Sequence, residues 1–331
     1  MGEDEQSLPF RTEAEFFNAV VPADHPFRTL LRVIDFKELV EPLHSLYSSI
    51  GEAGIDVEKG VKCLIVQYWE DYSDREMEHA VRENMAVRGF CGFSFSEGTP
   101  DHSYFGKLRK RIGTKRIANL FTQVNEILEN HGLFGKTFSF IDASTIITKN
   151  HLWNERDKAI KDGLDTLNNS NVGKYAADKD ARWGAKSKNN IWFGHKLHEC
   201  VDMRYGFIAK VRVTPANVPD NRVIASILPE SGMVFCDKLY DTNELHQTLK
   251  GRNIADGVIL KNNRKNKDFR KDAWRSQIRM PFEGTFSKRN KRARYRGSSK
   301  ITMQGFLEAI AYNLKKAARI IPQREAALVV G

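Results

Sequence analysis

Residues 137–147, TFSFIDASTII, interrupt a chain that up to that point reads as one short helix after another. The stretch is rich in β-branched and aromatic side chains and carries no glycine or proline, so it reads as a strand. Upstream, LRVIDFKELVEPLHSLY (31–47) and VEKGVKCLIVQYWEDY (57–72) repeat their apolar residues at spacings near three and four, the period of a helix. SDREMEHAVRENMAVRGF (73–90) opens on Ser73 or Asp74 as N-cap and stops near Gly89 and Gly92. In GTPDHSYFGKLRKRIG (98–113), Thr99 takes a cap position and Pro100 the first helical one, with the end expected at Gly113. The fold class expected is therefore an all-α N-terminal domain, residues 1–135, followed by an α/β domain, residues 136–325.

Downstream of the strand, residues 148–193 are polar and aperiodic and read as a long insertion. HKLHECVDMRYGFIAKVRVTP (195–215) then reads as two strands around a Tyr205-Gly206 turn. PDNRVIASIL (219–228) suits a short helix, GMVFCD (232–237) a buried strand and DTNELHQTLKG (241–251) a helix. GVILKN (257–262) reads as another strand, and ITMQGFLEAIAYNLKKAARII (301–321) as a closing helix. A strand, a hairpin and then alternating helices and strands make an α/β layout with a mixed sheet.

Two of these strands finish alike. FSFID (138–142) and MVFCD (233–237) each end an apolar run with an aspartate, Asp142 and Asp237. An ionised carboxylate at the edge of a sheet core is costly unless a cation or hydrogen-bond donors compensate. Glu283 is a third candidate, because it is one of only three acids in a segment of fifteen lysines and arginines, residues 261–300. Arg279, Glu283 and the region from Lys288 to Lys291 would recur along one helix face. Either Arg279 and Glu283 form a surface pair, or Glu283 joins the aspartates in an oxygen-rich site suited to Mg²⁺ or Mn²⁺.

The formal net charge of the 331 residues is +10, yet that one block carries a surplus of twelve, so the rest of the chain is slightly acidic. Such a block attracts a polyanion by releasing counterions, and nucleic acid is the expected partner. Trp274, Phe282, Phe286 and Tyr295 lie inside it, which favours a folded segment over a tail. A second basic run, Lys107, Arg109, Lys110 and Arg111, lies on the last N-terminal helix, either as a helix-turn-helix-like DNA contact or as a solvated face. The four cysteines are scattered, which argues against a zinc ribbon or a disulfide framework. The acidic start MGEDEQSLPF and the lack of a long apolar run point to a cytoplasmic protein without a membrane span. No phosphate-loop motif is present, so no nucleotide cofactor is expected.

Several blocks in order resemble bacterial insertion-sequence transposases of the insertion-sequence-five family. These belong to the DDE group, whose catalytic domain is ribonuclease-H-like. YSDREMEHAVRENMAVRGFCGFSF (72–95) with TPDHSYFGKLRKRIG (99–113) is similar to that family's helical N-terminal domain, expected to bind DNA or dimerise. DASTI (142–146), DARWGAKSKNNIWFGHKLHECVD (180–202) and VTPANVPDN (213–221) resemble its first half-domain. FCDKLYDT (235–242) resembles the second-aspartate block, and RMPFEGTFSKRNKRARYRG (279–297) with FLEAIAYNLKK (306–316) the glutamate block and closing helix. In the glutamate block Arg279 and Glu283 are kept, Ser276 stands where the family has tyrosine, and Asn290 stands at the lysine position beside Lys291. Leu239 replaces the more usual glycine in the second block.

The resemblance implies that Asp142, Asp237 and Glu283 hold a pair of Mg²⁺ (or Mn²⁺) ions. It implies cleavage at the element's terminal inverted repeats, then transfer of the freed 3′-OH ends into target DNA. Two such ions about 3.5–4 Å apart activate the attacking oxygen and stabilise the leaving one. A homodimer or larger homo-oligomer, acting at the nucleoid, would bring two ends together. The other readings are a metal nuclease without strand transfer and a transposase-derived DNA-binding protein. Phosphate contacts are expected from Arg279, Lys288, Arg289, Lys291, Arg292, Arg294 and Arg296, and from Lys196 and Arg182. His195 and His198 lie three apart on a strand and face opposite sides, so structural or phosphate-contacting roles suit them better than a shared ion. Trp183 and Trp192 either stack on an unpaired base or pack under the insertion.

Overall fold

The computed structural model describes residues 12–47, 54–148, 152–265, 267–287 and 291–330. It divides into two compact units, Met1–Val124 with Ile310–Gly331, and Asn125–Ala309. Among the described residues no helix is long and apolar enough to cross a membrane.

The first unit is helical, with α1 (Glu13–Val20), α2 (Pro26–Val33), α3 (Phe36–Val40), α4 (Val57–Trp69), α5 (Asp74–Glu83), α6 (Met85–Cys91) and the start of α7 (His102–Asn130). Helix α4 is buried along most of its length, which explains why its apolar residues are not confined to one stripe. Ser73 and Glu76 form a capping box at α5, and Asn84 ends α5 while capping α6. α7 breaks at Gly113, whose φ of 75° suits glycine, and then resumes. The helix expected to stop there is thus the first arm of a longer one.

The second unit is built on one mixed sheet of β1 (Phe138–Ile147), β2 (Arg182–Ser187), β3 (Asn190–Asp202), β4 (Phe207–Pro215), β5 (Met233–Cys236) and β6 (Ala255–Val258). β1 is central. It runs antiparallel to β3 and parallel to β5, β6 follows β5 in parallel, and both β2 and β4 pair antiparallel to β3. The other helices are α8 (Trp153–Lys161), α9 (Val172–Tyr175), α10 (Asn243–Gly251), α11 (Phe269–Ser287) and α12 (Ser298–Val330). Phe140, Ile141, Ile146, Val234, Phe235 and Cys236 are fully buried. At about 1.5–3 kcal/mol for each large apolar side chain, they fix β1 and β5 firmly.

Four expectations from sequence need correction. Asp142 does not end its strand: β1 continues to Ile147 because its pairing with β3 runs from Ser139 to Ile147, well past the end of β5. Residues 148–193 are not a structureless insertion. Where described they fold as α8, α9 and the β2–β3 hairpin over a small core of Leu167, Val172, Ala176, Ala181 and Phe193. The last strand is Ala255–Val258 rather than 257–262, set by its pairing with Met233–Cys236. The segment 219–228 forms two 3₁₀ turns, Asp220–Arg222 and Ile224–Ser226, in place of a helix. Gly194 is where β3 passes between β1 and β2: a Cβ there would stand 2.1 Å from the Ile146 carbonyl oxygen, so only glycine fits.

Candidate active site

Parallel pairing matches Phe140 with Phe235 and Ile141 with Cys236, so Asp142 and Asp237 follow side by side on neighbouring strands. Strands so paired lie about 4.8 Å apart. Both aspartates fall on the face of Phe140 and Phe235, two residues back along each chain. α11 covers that face. Its Arg279 guanidinium stacks over the Phe140 ring, 4.8 Å from the centroid, and its Trp274 ring lies 5.8 Å from that of Phe235. Arg279 Nη1 stands 3.7 Å from Asp237 Oδ1. Two acids from the sheet and one cation from the helix thus meet over an aromatic floor.

The acids differ in setting. Burial pushes the Asp142 carboxyl above its ordinary value; the Ala143 N–H, donating to Oδ1 at 2.8 Å, and the charges of Arg279 and Lys186 oppose the rise, while Asp237 adds to it. Asp237 keeps 38% of its side chain exposed and accepts the Lys238 N–H at 2.6 Å, capping the turn after β5. The backbone of Glu283 lies one helical turn beyond Arg279 on α11, and its side chain is outside what the structure describes. Among the described residues no three His, Cys, Asp or Glu side chains are disposed to hold a metal ion. The two aspartates nevertheless offer the hard oxygen donors a divalent cation requires.

Two residues near Asp142 escaped the sequence reading. Glu199, fully buried, lies directly across β3 from Asp142 and so shares its face. The sign was an acid in the middle of a strand otherwise buried from Trp192 to Asp202. Lys186 is the extra residue where the β2–β3 register shifts between Ala185 and Ser187, and it is exposed. Such bulges re-aim side chains, often beside active sites. A lysine in a polar stretch gives no such signal in sequence.

The basic block is split. α11 stops at Ser287, so it does not carry Arg279 and Lys291 on one helix as expected; Lys288 and Arg289 lie outside the described residues, as does Asn290. Residues 291–293 are extended beside the end of β1: the Ile147 N–H donates to the Lys291 carbonyl at 2.6 Å, and the Ala293 N–H to the Ile147 carbonyl at 2.9 Å. Lys291, Arg292 and Arg296 are exposed and Arg294 is half-buried. Backbone pairing, rather than helical periodicity, brings them to the strand that bears Asp142.

Other expected DNA contacts are already engaged. Arg109 is buried and forks onto Asp74 at 2.6 and 2.9 Å, so it braces the helices rather than meeting solvent. Lys196 pairs with Asp220 at 2.8 Å and donates to the Val218 carbonyl. Arg182 donates to the carbonyls of Lys179 and Ala181. Lys107, Lys110 and Arg111 are exposed. His195 and His198 are both fully buried, bonded to Asp178 and Thr214, so neither can touch a phosphate. Trp192 is buried and donates to the His195 carbonyl at 3.3 Å, while Trp183 packs 5.3 Å from Phe193; both stabilise the hairpin by packing.

Asp241, four residues after Asp237, ties the surrounding loops together. It is fully buried and accepts from Arg264 at 2.6 Å, the Lys261 N–H at 2.7 Å and His246 at 2.8 Å. Burial alone would raise its carboxyl, but Arg264, the Lys261 N–H and His246 together hold it well below the usual range. The loops that follow β5 and β6 are thereby locked next to the candidate site.

Residues 133–314 match the transposase DDE domain family and residues 15–111 a transposase domain family, DUF772. The chain therefore belongs to the transposase DDE domain family. It is 33% identical over 154 residues to the transposase for insertion sequence element IS1106 from Neisseria meningitidis serogroup B. That match covers 43% of this chain and 52% of the relative, so the chain spans about half the length of this curated relative. Among solved structures, a Mos1 transposase paired-end complex with left transposon end and a Mos1 mariner paired-end complex with Mn align over 92% and 93% of the chain. They cover 96% and 93% of their own chains, at 8% and 10% identity, with TM-scores of 0.19 and 0.20, too low to bear on the fold.

Proposed function

We propose that the chain is a DDE transposase of an insertion sequence, of the insertion-sequence-five group, which cuts DNA at the element's terminal inverted repeats and joins the freed 3′-OH ends to target DNA. The observation that carries this reading is the pairing of Asp142 and Asp237 on adjacent parallel strands beneath Arg279. A mixed sheet flanked by helices supports a ribonuclease-H-like catalytic domain over residues 136–325, with residues 1–135 as the DNA-binding and dimerising part. Asp142, Asp237 and Glu283 would hold the divalent ions, two per site as Mg²⁺ or Mn²⁺, which supply charge neutralisation and an activated oxygen nucleophile.

The chain's own residues do the rest. Buried β1 and β5 hold the carboxylates in fixed positions, and the Ala143 and Lys238 N–H groups orient them. Arg279 and Lys186 place positive charge where a scissile phosphate would sit. Lys291, Arg292, Arg294 and Arg296 grip more distant backbone without reading bases. The same assignment implies work at the nucleoid in the bacterial cytoplasm, as a homodimer or larger homo-oligomer that joins two ends.

A duplex carrying the element's terminal repeats, incubated with Mg²⁺ or with EDTA, tests the proposal. Cutting that needs Mg²⁺ and disappears in Asp142→Asn supports it. Tight, repeat-specific binding without any cutting would identify a DNA-binding derivative instead. Affinity should also fall steeply with salt, about 10³-fold or more between 50 and 200 mM if six or more phosphates are gripped.

A further inference from the structure

Arg279 is 8% exposed and lies with its guanidinium on the Phe140 ring, yet its approach to Asp237 is loose. At 3.7 Å the contact is an ion pair but not a hydrogen bond. The Arg264–Asp241 pair, a few residues away in the chain, closes to 2.6 Å. Packing on an aromatic face thus holds the Arg279 charge beside the carboxylates without the short bonds that would fix it there. Its charge is also felt at Asp142, where it opposes the effect of burial.

We propose that Arg279 is an internal placeholder cation, neutralising the Asp142–Asp237 pair in the DNA-free protein and competing with the divalent ion for it. This rests on the reading of those two aspartates as ion ligands. A buried guanidinium keeps an anion close, because an uncompensated buried charge is costly. When the aspartates take a divalent ion, the phosphodiester backbone is the anion to which Arg279 turns. DNA and metal then favour each other's binding, by the same factor in both directions. The free protein holds its ions weakly, and the pairing with DNA completes the site.

Titration calorimetry with Mn²⁺ alone, on the full chain without DNA, tests this. Arg279→Gln should bind Mn²⁺ about tenfold more tightly than the wild type, while Arg279→Lys, which keeps the charge, should stay within about threefold of it. Should Arg279→Gln fail to fold, as judged by circular dichroism, Arg279→Met keeps the stacked chain without the charge and carries the same expectation. Asp142→Asn should weaken Mn²⁺ binding in either background. Unchanged or weaker binding in the uncharged variants, with Asp142→Asn still weakening it, overturns the placeholder and leaves the functional reading intact. Mn²⁺ binding indifferent to Asp142→Asn overturns both.

Discussion

Asp237 and Asp241 stand four residues apart in one turn, and their surroundings could hardly differ more. Asp241 is fully buried and bonded to an arginine, a backbone N–H and a histidine. Asp237 keeps more than a third of its side chain exposed, takes one backbone N–H and has its arginine at 3.7 Å. Asp142, its neighbour on β1, is set deep enough for burial to raise its carboxyl. The protein satisfies one acid with its own donors and leaves two adjacent ones short of positive charge. Charge that a fold does not neutralise internally is charge held for something else, and here that is a divalent cation.

The sharpest way to break this contrast is to neutralise each acid in turn. Asp142→Asn is expected to reduce cutting of terminal-repeat DNA to background while the thermal melt stays at or above that of the wild type. Loss of cutting together with loss of the fold would place Asp142 with Asp241 as a structural acid. Asp241→Ala should instead cost about 3 kcal/mol in urea unfolding, at the low end for a broken buried pair because Arg264 is a third exposed. A change below 0.5 kcal/mol would dissolve the difference between the two sites.

The acids also predict opposite pH responses. The Asp241 carboxyl is depressed, so its contribution is complete above the ordinary value of 3.8 and is lost as the pH falls through its lowered value. The Asp142 carboxyl is raised, so its contribution is present below 3.8 and lost as the pH rises through its raised value. The melting difference between Asp142→Asn and the wild type should therefore grow in favour of the variant from pH 4 towards pH 7, in EDTA. Added Mg²⁺ should shrink it by stabilising only the wild type. His198 adds to the acid limb. Buried and lowered to about 4 from 6.5, it stays neutral in the fold while the unfolded chain takes up a proton, so stability falls as the pH drops between those values. Milder acid sensitivity in His198→Gln, followed by melts from pH 7 to 4, checks this smallest effect.

Asp142, Asp237 and Arg279 were readable in sequence because a charge beside an apolar β-rich run contradicts its neighbours. The two aspartates read alike, and the sequence offers nothing to separate them, since burial depends on which strand lies alongside. Glu199 was hidden for a similar reason: it adjoins Asp142 only through antiparallel register across 57 residues of chain. Lys291 and Arg292 were placed on a helix by counting in fours, but their backbone hydrogen bonds go to Ile147. Arg109 and Lys196 looked like DNA contacts because composition counts charges without showing their partners.

The sequence by itself determined the helical start, the switch to strands at residue 138, the two strand-borne aspartates and the concentration of positive charge near the C-terminus. Those are local facts, set by side-chain periodicity and by the mismatch of a carboxylate in an apolar run. The tertiary structure alone decided which acids become neighbours, which are neutralised and which cations remain exposed. Such outcomes depend on strand register and on the distance between groups far apart in the chain, and electrostatic energy follows distance and burial rather than order along the sequence.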